Sequence, residues 1–93
     1  MSTVEHEPGR FVLRIGAEEA FLGYARRGDV LDLQHTWTPP ALRGRDVAAR
    51  LTAAAFAYAR AGDLKILPTC SYVRHYVADH PELRSLVATS TPS

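Results

Sequence analysis

His35-Thr36-Trp37-Thr38-Pro39-Pro40-Ala41-Leu42-Arg43-Gly44-Arg45-Asp46-Val47-Ala48 is the stretch on which the fold turns. It reads as the end of a strand, a double-proline stop, a loop with one glycine between two arginines, and the first turn of a helix. Proline supplies no N–H to a sheet ladder and biases the residue before it toward extended backbone, so the strand closes at Thr38. Downstream, Val47, Leu51, Ala54, Ala55 and Tyr58 recur at helical spacing and predict one long amphipathic helix. Arg50 and Arg60 lie off that stripe. Phe56 is off it too, either exposed or packed against a C-terminal element. Gly62-Asp63 closes the helix.

Working outward, the chain before this stretch alternates with period two. Phe11, Leu13 and Ile15 alternate with Val12 and Arg14 and predict a first strand, ended by Gly16. Residues Ala20 to Arg27 form a second, joined to it by a Gly16–Glu19 hairpin. After a Gly28-Asp29 turn, Val30 to Thr38 form a third. Its alternation puts Leu31, Leu33, His35 and Trp37 on one face, toward the core, and Asp32, Gln34 and Thr36 on the other. Beyond the long helix, Leu64 to Leu67 read as a short buried strand stopped by Pro68. A shorter helix over Ser71 to Asp79 turns Val73, Tyr76 and Val77 inward. His80-Pro81 breaks it, and a last turn holds Leu83, Leu86 and Val87. The expected order is β-β-β-α-β-α, an α+β fold with helices packed on a mainly antiparallel sheet. Residues 1–9 and 89–93 are expected to be loose.

Length and composition bound the function. With 93 residues there is room for a single domain, spanning 1–93. Hydrophobic residues at 46% and charged residues at 23% are globular proportions. No run approaches the roughly 20 apolar residues of a membrane span, and Met1 to Arg10 lacks the apolar middle of a signal peptide. A net charge of +1 gives no support to nucleic-acid or membrane binding. The lone Cys70 excludes an internal disulfide framework and points to a reducing cytoplasm. Arginine and alanine abound while Lys65 is the only lysine, the composition of a GC-rich bacterial genome.

Two segments bear chemistry. At the start of the long helix, main-chain N–H groups have no intrahelical partner, and with the helix dipole they suit an anion such as phosphate. Gly44 admits a close approach and Arg43 and Arg45 add charge. An ordinary solvated helix start is the competing reading; neither a P-loop nor a dinucleotide fingerprint is present. In the second segment, Ile66-Leu67-Pro68-Thr69-Cys70-Ser71-Tyr72-Val73, a thiol stands between strand and helix. There it is either an activated nucleophile or a small buried hydrophobe. His75 and His80 follow Cys70 at spacings of five and ten, which do not share a helix face, so no zinc site is expected.

Taken in order, Asp32-Leu33-Gln34-His35-Thr36-Trp37, then Arg43-Gly44-Arg45-Asp46-Val47-Ala48, then Ile66 to Val73 and the trailing His80-Pro81-Glu82-Leu83 resemble a known family. It is the small, single-domain GCN5-related N-acetyltransferase-like (GNAT) family of the YjdJ type, and the likeness runs from about Phe11 to Leu86. The resemblance implies a minimal GNAT fold and an acetyl-CoA site, with Trp37, Thr38, Arg43, Gly44, Arg45, Asp46, Val47 and Ala48 as its binding residues. The superfamily pattern Gln/Arg-x-x-Gly-x-Gly/Ala, laid on this chain, starts at Ala41, meets Gly44 and ends at Asp46; the first and last places depart. Asp46 would either oppose a pyrophosphate or cap the helix.

By the same resemblance Cys70 stands near the acetyl thioester, as an acyl-carrying nucleophile or as a wall of the acetyl pocket. A main-chain N–H near Trp37 or Thr38 would polarise the carbonyl. Where relatives place an acidic or aromatic residue this chain has Trp37, which leaves His35 as the candidate general base. The implied function is acetyl transfer from acetyl-CoA to a primary amine. The short Gly16–Glu19 turn, where larger relatives carry helices, suits an acceptor on a protein or peptide. The alternative is a noncatalytic CoA-binding or protein-interaction module on the same fold.

Overall fold

The structure, a computed structural model, describes residues 3–88. Five strands form one sheet in sequence order: β1 (Glu5–Glu7), β2 (Arg10–Ile15), β3 (Glu18–Arg27), β4 (Val30–Trp37) and β5 (Lys65–Pro68). The first four run antiparallel. Helix α1 (Val47–Ala61) then crosses over and returns the chain parallel to β4 as β5. Helix α2 (Ser71–Asp79) and a 3-10 turn at Pro81–Leu86 follow. The expected α+β class and mainly antiparallel sheet are observed, with one strand more than expected. Among the described residues no helix is long and apolar enough to cross a membrane.

The extra strand lies in the segment expected to be loose. Glu5, His6 and Glu7 pair with Val12, Phe11 and Arg10. His6 stacks on Phe11 with ring centroids 4.5 Å apart, meets the edge of Tyr58, and hydrogen-bonds the Tyr24 hydroxyl. Long-range ring contacts order a segment that looks merely polar in sequence. The 89–93 tail lies outside the described residues.

One face of the sheet carries Phe11, Leu13, Ala20, Leu22, Leu31, Leu33 and Ile66, and both helices pack into that cluster. From α1 come Val47, Leu51, Ala55, Phe56 and Ala59, and from α2 comes Val73. Phe56 takes the second of its two expected settings: it is buried, its ring 6.2 Å from that of Tyr76 in α2. The helix ends at Gly62-Asp63 as expected, with the left-handed backbone on Asp63 (φ 59°) and the Leu64 N–H donating to Ala59 O at 2.8 Å.

The opposite face contributes nothing to that cluster, yet Val12 on it is fully buried. Arg10 and Arg14 flank Val12 along β2. Arg14 holds Glu5, Glu7 and Glu19, each at 2.9 Å, and Arg10 holds Glu7 and Glu19 at 2.9 and 3.2 Å. The Arg10 guanidinium also lies over the Phe21 ring, 5.7 Å from its centre, and Phe21 is the cross-strand neighbour of Val12.

β4 departs from simple alternation. Tyr24 faces Leu33 but Gly23 faces His35, so Gln34 is an extra residue, a β-bulge. Past it the side-chain phase slips by one. Thr36, opposite core residue Leu22, takes the helix face. His35 and Trp37, opposite Gly23 and Phe21, turn to the other face and are exposed. The expectation that His35 and Trp37 share the core face with Leu31 and Leu33 is therefore corrected.

The charge layer yields a pH test. Hydrogen bonds from Arg14 and then Arg10 hold the Glu7 carboxyl below its usual range. A depressed carboxylate pKa stabilises the fold above the unfolded-state value and loses that contribution as pH falls through the folded value. Melting temperature should drop below about pH 4.5, and Glu7→Gln should flatten that drop while lowering the plateau near pH 7. Thermal melts across pH 3–7 check it; superimposable profiles would show that the network is idle.

Candidate functional site

The site begins where the sheet opens. β4 and β5 pair from Val30–Lys65 to Leu33–Pro68, and the Cys70 N–H donates to Leu33 O at 2.9 Å. Beyond that point β4 continues to Trp37 with no strand on its β5 side among the described residues. Two loops enter this fork, one ahead of α1 and one ahead of α2.

The first loop runs from Thr38 through a 3-10 turn at Pro40–Leu42 to Asp46. Arg43 is drawn back: its Nε donates to Thr38 O at 3.2 Å and its guanidinium lies 5.8 Å from the centre of the Trp37 ring. Gly44 adopts φ +83°, with nothing within 4 Å of where a Cβ would stand. That backbone favours glycine, and the open space around it is room for a ligand. Asp46 is the residue before the helix, with φ 57° and ψ 23°, and its side chain makes no capping hydrogen bond. Its carbonyl accepts the Arg50 N–H at 3.0 Å, which starts the helical ladder. The N–H groups of Val47, Ala48 and Ala49 precede that ladder and point out of the helix end.

A cavity of about 250 Å³ lies against this loop. Leu42, Arg43, Gly44, Asp46, Val47, Ala48, Ala49 and Thr38 line it, and Tyr72 of α2 closes the far side. Unpaired N–H groups, an open glycine and two arginines fit a phosphate; the exposed Asp46 carboxylate opposes one. Of the eight residues expected to bind, six line this cavity. Arg45 is exposed beside it, and Trp37 reaches it only through Arg43.

Tyr72 escaped the sequence reading. Its phenol is pushed above the usual range by burial, then by the charges of Tyr76, Asp46 and Asp79. The hint was its position two residues after the cysteine, but only the packing of α2 beside the start of α1 gives it a role.

Cys70 caps α2 from an extended backbone and is half-buried. Its Sγ lies 3.4 Å from the Thr36 hydroxyl. Burial pushes the thiol up, but the Thr36 hydroxyl and the main-chain N–H groups of Val73, Tyr72 and Thr36 outweigh it, and the net shift is downward. The Thr36 hydroxyl beside the sulfur favours the thiolate, and the half-buried setting opposes it. His35, the other candidate, is exposed on the opposite face, with its ring 6.0 Å from that of Phe21. The bulge at Gln34 separates the two: sulfur and Thr36 on the helix side, imidazole on the uncovered side.

Comparison with known proteins follows this geometry. A family model described as GCN5-related N-acetyl-transferase matches residues 10–86. The human protein called Protein NATD1 is 40% identical over 83 residues, covering 84% of this chain and 74% of that protein. Its zebrafish (Danio rerio) counterpart is 39% identical, covering 84% and 76%. A solution structure of a GCN5-like protein from Staphylococcus aureus superposes with a TM-score of 0.71 at 18% identity, covering 95% of this chain and 89% of that one.

The missing cap bond speaks against the capping role expected as one alternative for Asp46. Asp46→Gly removes a side chain from left-handed backbone and breaks no capping bond. Urea denaturation should find the variant equal to the parent or more stable by up to about 1 kcal/mol. A loss of the order of 1 kcal/mol, the usual cost of a deleted cap, would show that the carboxylate caps α1 in solution.

Proposed function

Because this chain belongs to the GCN5-related N-acetyltransferase family, we propose that it transfers an acetyl group from acetyl-CoA to a primary amine carried by a protein or peptide. The observation that supports the reading is the fork between β4 and β5, with the cavity at the start of α1 on one side and Cys70 at its root.

Bound acetyl-CoA supplies the acyl thioester that an amine attacks. The residues do the rest. The main chain of Gly44 to Ala48 and the guanidinium of Arg45 hold the pyrophosphate. Tyr72, Leu42 and Val47 wall the channel leading from it into the fork. At the free edge of β4, an N–H near Trp37 or Thr38 donates to the thioester oxygen as negative charge grows there. The acceptor arrives over the uncovered face, where His35 stands beside Phe21 and Trp37. His35 takes a proton from the acceptor's ammonium, freeing the amine whose lone pair forms the new C–N bond as the thioester C–S bond breaks and CoA leaves as a thiolate, which takes up a proton. Cys70 faces the acyl group from the helix side, as pocket wall or as transient carrier. No enclosing helices stand between β2 and β3, whose connection is the two-residue Gly16-Ala17 turn, and the open acceptor side suits a macromolecular amine. A reducing cytoplasm would keep the thiol available.

A second reading has its own observation. The Asp46 carboxylate sits at the phosphate end of the cavity and Trp37 replaces a base, as a CoA-binding module without catalysis would tolerate.

Calorimetry with acetyl-CoA tests the site. Gly44→Asp should weaken binding at least tenfold by adding charge where phosphate lies, with a fold cost of about 1 kcal/mol from the left-handed backbone. Asp46→Gly should tighten binding. Acetyl-CoA at a hundred times its Kd should stabilise the parent by about 2.7 kcal/mol. No thermal shift at millimolar acetyl-CoA would remove the reading. Binding without acetylation of a lysine peptide library would favour the noncatalytic module.

A further inference from the structure

Asp32 is a carboxylate with 4% of its surface exposed, and none of the chemistry above uses it. It lies in β4 opposite Ala25 of β3 and Leu67 of β5, on the face away from the helices. A charge removed from water is costly unless it is well bonded, so the direction of its bonds is informative. Oδ1 accepts the hydroxyl of Thr69, on the β5 branch. Oδ2 accepts the Gln34 amide at 3.3 Å, on the β4 branch at the bulge. Arg27 lies farther off, at 3.6 Å, and is largely exposed, a distant counter-charge rather than the main partner.

Both bonds fall where the strands part. Leu33–Pro68 is the last paired step; Gln34 is the first residue past it on β4 and Thr69 the first past it on β5. The neighbouring main-chain bond, Cys70 N–H to Leu33 O, continues the same seam. One carboxylate therefore grips each branch of the fork at its root, one residue before the cysteine. An ion pair with stability as its only purpose would engage Arg27 closely and would not need Thr69.

We propose that Asp32 is a positioning residue, the pin of the fork, which through Thr69 holds the Cys70 sulfur against Thr36 at the open edge of β4. The proposal rests on the reading that acyl transfer takes place in this fork. Without the pin, the exposed Thr69 hydroxyl turns to water, the turn keeps only its main-chain bonds to Leu67 and Leu33 and the Arg74 contact to Thr69 O, and the side-chain link that holds the sulfur's approach to the Thr36 hydroxyl is lost.

The test is the pH profile of iodoacetamide alkylation of Cys70 in the folded full chain, without CoA. Thr69→Val and Asp32→Ala should move the profile upward by half a unit to one unit, about a three- to tenfold slower reaction near pH 7. Thr69→Ser should restore the parent profile. Asp32→Asn, whose amide oxygen still accepts from Thr69, should fall between. Glu7→Gln, which disturbs only the distant charge layer, should leave the profile in place and controls for lost stability. Profiles of Thr69→Val and Asp32→Ala that coincide with the parent would overturn the pin, as would a parent thiol unreactive up to pH 9. Should Asp32→Ala not fold, Thr69→Val decides. Acetyl-CoA calorimetry on the parent separates the two ideas: absent binding removes the transfer reading and leaves the alkylation result to judge Asp32.

Discussion

The short parallel seam between β4 and β5 is the constraint on which the rest of the structure depends. β4 must satisfy an antiparallel neighbour on one side along most of its length and a parallel neighbour on the other for only four residues. A parallel partner requires a crossover, and α1 is that crossover. Because the seam stops at Leu33, the loop into α1 and the turn into α2 both arrive at the unpaired part of β4. The fork, the helix-start loop and the cysteine are thus consequences of one unfinished strand pairing. The bulge at Gln34 falls at the same place and divides the site into a helix side, with Thr36 and Cys70, and an open side, with His35 and Trp37.

A chain this short covers one sheet face with two helices and has little left for the other. Its solution on β1, β2 and β3 is a lattice of five charged residues instead of a third layer of helix. Individually such exposed pairs contribute little. Their value here is geometric: Arg14 on β2 touches Glu5 and Glu7 of β1 and Glu19 of β3 at once, which ties the three strands together and holds β1 in register at the edge of the sheet. Beyond this lattice, on the same face, His35 and Trp37 are exposed.

The loop ahead of α1 shows a local compromise. The backbone at position 46 is left-handed, a conformation that glycine adopts freely and aspartate tolerates. The glycine that the superfamily pattern allows there is intelligible from that angle; its alternative, alanine, is not. This chain keeps the backbone and changes the charge. The exposed carboxylate there stands among groups of the opposite electrostatic sense, the free N–H groups of the helix start and Arg45.

Periodicity and punctuation in the sequence by themselves determined the three hairpin strands, both helices and the short strand after Gly62-Asp63. Those signals are local: alternation, helical spacing and glycine or proline stops act within a few residues. They also determined that Cys70 stands where a strand gives way to a helix. Only the tertiary structure decided which side of the sheet each β4 residue faces, because the glycine at the bulge, Gly23, lies on the partner strand rather than beside Gln34, and a one-residue slip reverses every side chain after it. The same holds for β1, which exists through contacts of His6 with Phe11, Tyr24 and Tyr58, and for Tyr72, which reaches the cavity through helix packing. Asp32 looks in sequence like an ordinary polar-face residue of β4. Its burial and its bond to Thr69, 37 residues away, arise when β5 is laid beside β4, a long-range pairing that no window along the chain contains.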